Sequence, residues 1–216
     1  MFLKGIRKLR IVFKYNESNF SPKQAGNIIQ CILNRMPFLA ELDLIFPKNC
    51  IDFVEDNGQD IQPSLKKVFI SFKECDAEKE KSIWRMIGIL GKCKRLKELE
   101  LDFTKSVYDG PEIARRLCES LVKLKELQVF SLHTNELLVS SGEENPVGLL
   151  LDFVRTFEKM KNLQDFHLDI KTWPFRGGGV EKFWELRGQM KNGTKDRFFF
   201  LEYHFSINEW TLRRGI

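Results

Sequence analysis

The chain has 216 residues, 43% of them hydrophobic and 30% charged, which is enough apolar mass for a sizeable core and too much for general disorder. Its net charge of +5 permits an acidic partner without demanding one, and no apolar run approaches the roughly 20 residues of a membrane-spanning helix. The opening MFLKGIRKLRIVFKYN is charged too often to be a secretory signal, so the expectation is a soluble intracellular protein in a reducing compartment, with no membrane partner.

In chain order, IRKLRIVF (residues 6–13) alternates apolar and polar residues in its second half and predicts a strand. SPKQAGNIIQCILNRMPF predicts a helix, with Ser21 as N-cap, Pro22 at the first helical position, and Ile28, Ile29, Ile32, Leu33 and Met36 on one face. LAELDLIF (39–46) is a second strand, and PKNCIDFVEDNGQDIQPS after it has room for at most a clipped helix. LKKVFISF (65–72) is a third strand. DAEKEKSIWRMIGIL then opens with Asp76 and places Ile83, Met86, Ile87 and Leu90 on one helical face. LKELELDF (96–103) is the fourth strand. Pro111 starts a third helix with the stripe Ile113, Ala114, Leu117, Cys118, Leu121 and Leu124. LQVFSLHT (127–134) leads to a fourth helix from Asn145-Pro146, carrying Leu149, Leu150, Phe153, Val154 and Phe157. LQDFHLDI (163–170) is the sixth strand, a fifth helix lies around Phe183, Trp184 and Leu186, and FFFLEYHF (198–205) is the last and weakest strand.

These strands share one pattern, apolar-x-x-apolar-x-apolar-x-(Phe or Ile), whose starts differ by 33, 26, 31, 31, 36 and 35 residues. Positions four, six and eight point to one face and positions three, five and seven to the other. Phenylalanine fills the eighth position in most units, and with 19 phenylalanines against 3 tyrosines its role is to fill space. One strand–helix unit cannot bury its apolar face alone, whereas stacked units share a core.

LKELELDF, LQVFSLHTNEL and LQDFHLDI resemble the leucine-rich repeat, L-x-x-L-x-L-x-x-N, and the spacing near 31 residues is most similar to its long ribonuclease-inhibitor-like subclass. The resemblance covers nearly the whole chain. It implies an α/β right-handed solenoid, a horseshoe of about seven strand–helix units in a single domain over residues 1–216. The parallel sheet would be concave and the helices convex. The family's turn asparagine stands only at Asn135; Lys14, Pro47, Lys73, Thr104, Lys171 and Ser206 occupy that place elsewhere, which implies an irregular horseshoe with turns stabilised by other means. The competing fold is a sandwich with an open parallel sheet. The first strand begins within six residues of Met1, and INEWTLRRGI carries Trp210 as a partial cap. The chain is therefore expected to be a segment of a longer solenoid, to self-associate, or to have its N-terminal edge capped by another chain.

In a horseshoe, positions three, five and seven line the recognition face, where eight acids stand against three bases. The candidate partner-binding residues are Glu41, Asp43, Phe69, Glu98, Glu100, Asp102, Val129, Ser131, His133, Asp165, His167 and Asp169, forming a shallow acidic groove for a basic protein. Arg7, Lys66 and Lys97, at position two, return positive charge nearby.

Chemistry is poorly represented. Adjacent outward carboxylates on one strand are about 7 Å apart, too far to share an ion easily. His133, His167 and His204 fall on outward positions of successive units, but no cysteine joins them on that face, and chance placement accounts for them. RGGGVEK (176–182) lacks the Gly-Lys-Ser/Thr of a phosphate-binding loop and reads as a turn entering a helix. Cys31, Cys50, Cys75, Cys93 and Cys118 are too widely spaced for a metal site and read as buried free thiols. No catalytic residue, cofactor or metal is assigned. The excess lysine and arginine falls on helices and loops, densest in KCKR at 92–95. This leaves RNA or ribonucleoprotein binding through the basic helical side as the alternative to a non-catalytic protein-interaction scaffold.

Overall fold

The computed structural model describes residues 5–13, 22–46, 64–74, 80–108, 110–134, 138–139, 146–169 and 199–202. In chain order the strands are β1 (Lys8–Val12), β2 (Glu41–Ile45), β3 (Lys67–Ser71), β4 (Glu98–Asp102), β5 (Val107–Tyr108), β6 (Val129–His133), β7 (Leu138–Val139), β8 (Asp165–Asp169) and β9 (Phe199–Glu202). The helices are α1 (Pro22–Arg35), α2 (Glu80–Leu90), α3 (Gly110–Leu121) and α4 (Pro146–Lys159). Seven strands form one sheet in the order β1-β2-β3-β4-β6-β8-β9, and every pairing is parallel. Alternating strands and helices in a purely parallel sheet are compatible with a solenoid. The clipped helix of residues 47–63, the fifth helix, the glycine run and the C-terminal cap lie outside the described residues.

The predicted alternation is realised. Leu42 and Leu44, Val68 and Ile70, Leu99 and Leu101, and Phe130 and Leu132 are buried at positions four and six. Against them pack Ala25, Ile29, Ile32 and Leu33 from α1, and Ile83, Met86, Ile87 and Leu90 from α2. Ala114, Leu117, Cys118 and Leu121 from α3, with Phe153 and Phe157 from α4, join the same cluster. Pro22 and Pro146 open their helices, where a missing N–H leaves no bond unmade. Arg35 and Lys159 close theirs, at the end where backbone carbonyls favour a cation. Ile28, expected on the inner stripe of α1, is exposed instead, because Ala25 supplies that turn's inward contact.

At position eight Phe13, Phe46, Phe72 and Phe103 stack in a column, with ring centroids 5.1, 5.7 and 5.0 Å apart. Thr134, itself buried, follows in the next unit and ends the column.

Successive units are joined in one way. The carbonyl of position two accepts the N–H groups of positions two and three of the next unit: Arg7 from Ala40 and Glu41, Ala40 from Lys66 and Lys67, and Lys66 from Lys97 and Glu98. Lys97 then accepts from Gln128 and Val129, and Gln128 from Gln164 and Asp165, all at 2.7–3.0 Å. At the strand exit, the N–H of each stacked phenylalanine donates to the position-seven carbonyl of the next unit, as from Phe72 to Asp102 at 2.7 Å.

The turn after the strand has its own solution. Glu74 and Lys105, at equivalent places ten residues into their units, both take φ of 60°, a left-handed conformation unusual for side-chain-bearing residues. The buried Ser106 hydroxyl donates to the Phe72 carbonyl at 2.7 Å, tying one turn to the strand end of the preceding unit. Two features exceed the sequence expectation. β5 and β7 form a second, two-stranded parallel sheet beyond these turns. In β9 the register pairs Phe166 with Phe199 and His167 with Phe200, two residues off the expected alignment. A slip of two preserves which residues share a face, so Phe200 stays in an outward row, at position five instead of three.

Candidate functional site

The sheet face opposite the helices carries the predicted candidates in three rows set by strand register. Position three reads Lys8, Glu41, Lys67, Glu98, Val129 and Asp165. Position five reads Arg10, Asp43, Phe69, Glu100, Ser131, His167 and Phe200. Position seven reads Val12, Ile45, Ser71, Asp102, His133, Asp169 and Glu202. Glu100 and Asp165 are exposed; Glu41, Asp43, Phe69, Glu98, Asp102, Val129, Ser131, His133 and His167 are partly buried. The side chain of Asp169, like those of β9, lies outside the described residues.

The rows show how the charges are used. Along position three the sign alternates: Lys8 pairs with Glu41 at 2.9 Å, and Lys67 pairs with Glu98 at 2.7 Å. The hydrogen bond and charge of Lys8 hold the Glu41 carboxyl below its usual range. Both pairs are open to solvent and stabilise little, so they set local charge more than stability. Asp102 is committed to the fold, accepting the Ser71 hydroxyl at 3.0 Å and the Thr104 N–H at 2.9 Å. Ser71, though on an outward position, is buried by that contact.

What remains concentrates on β4, β6 and β8. Among the described outward residues, every lysine and arginine lies on β1 or β3, while Glu98, Glu100, Asp102 and Asp165 lie on β4 and β8. Among the described residues this face is therefore acidic over β4 and β8 and mixed over β1 to β3. At its centre the His133 Nε2 is 3.3 Å from a Glu100 carboxylate oxygen, and its ring centroid is 5.2 Å from that of His167. His204 lies outside the described residues. Among the described residues, no group of three or more His, Cys, Asp or Glu side chains could hold a metal ion.

The thiols divide in a way the sequence reading did not anticipate. Cys93 and Cys118 are buried and free; burial pushes the first up to about 12 and the second up to about 11. Cys31 is free but exposed, a correction explained by its place on the outer side of α1, away from Ala25, Ile29 and Ile32. Cys50 and Cys75 lie outside the described residues.

On the helical side, Glu112 bonds Arg115 and Arg116 at 2.6 Å, and Arg115 also reaches Glu119 at 2.7 Å. The Arg116 guanidinium sits 5.6 Å from the Trp84 ring centroid. These arginines, part of the expected basic flank, are largely neutralised by their own helix.

One recurrent signal extends the motif upstream. Three residues before position one stand Met36, Cys93, Leu124 and Met160, whose carbonyls accept the N–H of Leu39, Leu96, Leu127 and Leu163 at 2.9–3.2 Å. An apolar-x-x-leucine lead-in was present in the sequence. Among the described residues no helix is long and apolar enough to cross a membrane. No family model matches the chain, and no curated protein matches it either.

Proposed function

We propose that this chain is a non-catalytic, leucine-rich-repeat-like scaffold that binds a basic segment of a protein partner on the open sheet face, over β4, β6 and β8. The observation that carries this reading is the register. Parallel strands tied by the shared position-two carbonyls hold outward side chains in straight rows, a prepared surface on which binding orders little. Acids on β4 and β8 flank the half-exposed Val129, supplying electrostatic steering around an apolar contact. The paired lysines of β1 and β3 place the charge boundary at the β3–β4 step, which favours a partner that meets the later strands. An intracellular setting accords with the free thiols.

The test uses Glu100→Lys with Asp165→Lys, two exposed positions outside the turn contacts. Tagged wild-type and double-variant chains, nuclease-treated, are compared for the proteins they retain from the source cell. The expected result is loss of one or a few basic partners from the variant. Retention of the same proteins in the same amounts refutes the assignment of this face.

A further inference from the structure

β1 lies at one side of the sheet, and among the described residues no strand pairs with its outer edge. The Arg7 carbonyl and the Phe13 N–H are both bonded to β2, so the alternation of a parallel ladder turns the backbone of Leu9 and Ile11 toward β2 as well. The N–H and C=O groups of Lys8, Arg10 and Val12 therefore point away from the sheet, a row of donors and acceptors set for one more strand. The side chains of β1 are uncovered to match. Leu9 and Ile11, at positions four and six, are only partly buried, whereas Leu42, Leu44, Val68, Ile70, Leu99 and Leu101 at the same positions of the next three strands are buried. Val12, at position seven, is 48% exposed.

The charges of this edge define the strand it takes. Position three alternates in sign from Lys8 through Glu41 and Lys67 to Glu98, so a strand added outside β1 continues the row with an acid. An ammonium carries three donors, and Lys8 can hold a second carboxylate on its outer side while keeping Glu41. Arg10 is exposed and forms no ion pair with Asp43, its neighbour in register, so an acid at position five of the added strand meets an available guanidinium. Leu9, Ile11 and Val12 call for apolar residues at positions four, six and seven. The occupant therefore reads acid-apolar-acid-apolar-apolar and runs parallel to β1.

The same cations disfavour pairing with a second copy. Two β1 edges meeting antiparallel bring the Lys8 and Arg10 side chains of both chains together, a like-charge contact. In the sheet's own register, β9 of a second copy offers Phe200 at position five, where the acid is needed, and its acid, Glu202, opposite Val12.

We infer that the outer edge of β1 is a docking site for an extended segment of another protein in which acidic and apolar residues alternate, added to the sheet as a parallel strand. Main-chain hydrogen bonds supply the grip, and the alternate side chains supply the selectivity. This edge is three strands away from β4, and the inference does not depend on the acidic face.

The probe is a synthetic peptide containing ELDLI, the sequence of β2, which already fits β1 in this register on its inner side; short Gly-Ser tails keep it soluble. The control peptide carries lysine at both acidic positions. Amide hydrogen exchange is followed by NMR on the full chain, alone and with each peptide. In the chain alone the Lys8, Arg10 and Val12 amides exchange freely. The acidic peptide should slow all three by about tenfold or more, and the lysine peptide should leave them unchanged. Arg10→Glu should weaken binding of the acidic peptide by about tenfold, with thermal melting checking that the variant stays folded. Four results overturn the proposal: protection of these amides in the chain alone, which means that this chain or a second copy already covers the edge; no slowing by the acidic peptide; equal slowing by both peptides; or a folded Arg10→Glu chain that binds the acidic peptide as tightly as before.

Discussion

The phenylalanine column gives the sharpest test of how the units are held together. Phe72 is fully buried between Phe46 and Phe103, with centroids 5.7 and 5.0 Å away. Replacement by Ala removes its buried surface and leaves a ring-sized gap, a change that costs about 3–5 kcal/mol in other cores. The gap has little freedom to close, because the Phe72 N–H is bonded to the Asp102 carbonyl and the Phe72 carbonyl accepts Ser106, both at 2.7 Å. The upper end is therefore expected, about 5 kcal/mol, with Phe72→Leu at about 1.5 kcal/mol because most of the volume is kept. Phe38→Ala, at a side chain 57% exposed, should change stability by under about 0.5 kcal/mol. Urea unfolding followed by circular dichroism reads all three as shifts in midpoint at constant m. A loss below about 2 kcal/mol for Phe72→Ala, or one matched by Phe38→Ala, refutes a column of rings that acts as the spine of the stack.

Other perturbations follow from the turns and thiols. Ser106→Ala leaves the buried Phe72 carbonyl without its hydroxyl donor and should cost about 1–3 kcal/mol in the same urea assay. Lys105→Gly relieves a left-handed residue of about 1–2 kcal/mol of strain but loosens the unfolded chain. A net gain of about 0.5 kcal/mol should raise the melting temperature. Cys31 should react with a thiol reagent at pH 8 in the native state, while Cys93 and Cys118 react only on adding urea, as counted by absorbance. Because burial raises Cys93 and Cys118 to about 12 and about 11, the folded state keeps both protonated while the unfolded thiols ionise near 8.5. Their contribution is intact below pH 8.5 and declines above it, by up to about 2 kcal/mol per thiol at pH 10. That slope should shrink in a Cys93→Ala, Cys118→Ala double variant.

Most of the sheet was legible because its signals are local: leucines two and three apart, a phenylalanine two further on, and a proline to open α1 and α4. What escaped depends on residues about 31 positions apart. Lys8, Glu41, Lys67 and Glu98 alternate in sign along one row, yet adding up the face's charge conceals that each pair neutralises itself. Asp102 read as a recognition acid because its bond from Ser71 exists only once β3 and β4 lie side by side, although the one from Thr104 is local. The β9 register was misaligned by two because FFFLEYHF offers several apolar frames with the same parity.

The doubled acceptor at position two has a consequence for how such a chain can change. The contact that sets one unit against the next uses main-chain atoms alone and sits where each strand begins, so it is indifferent both to side-chain identity and to how many residues intervene. Intervals from 26 to 36 residues are accommodated by the same joint. Whole segments can therefore be lengthened, trimmed or duplicated on the helical side with the stacking geometry unaltered, leaving selection to act on the exposed rows one position at a time.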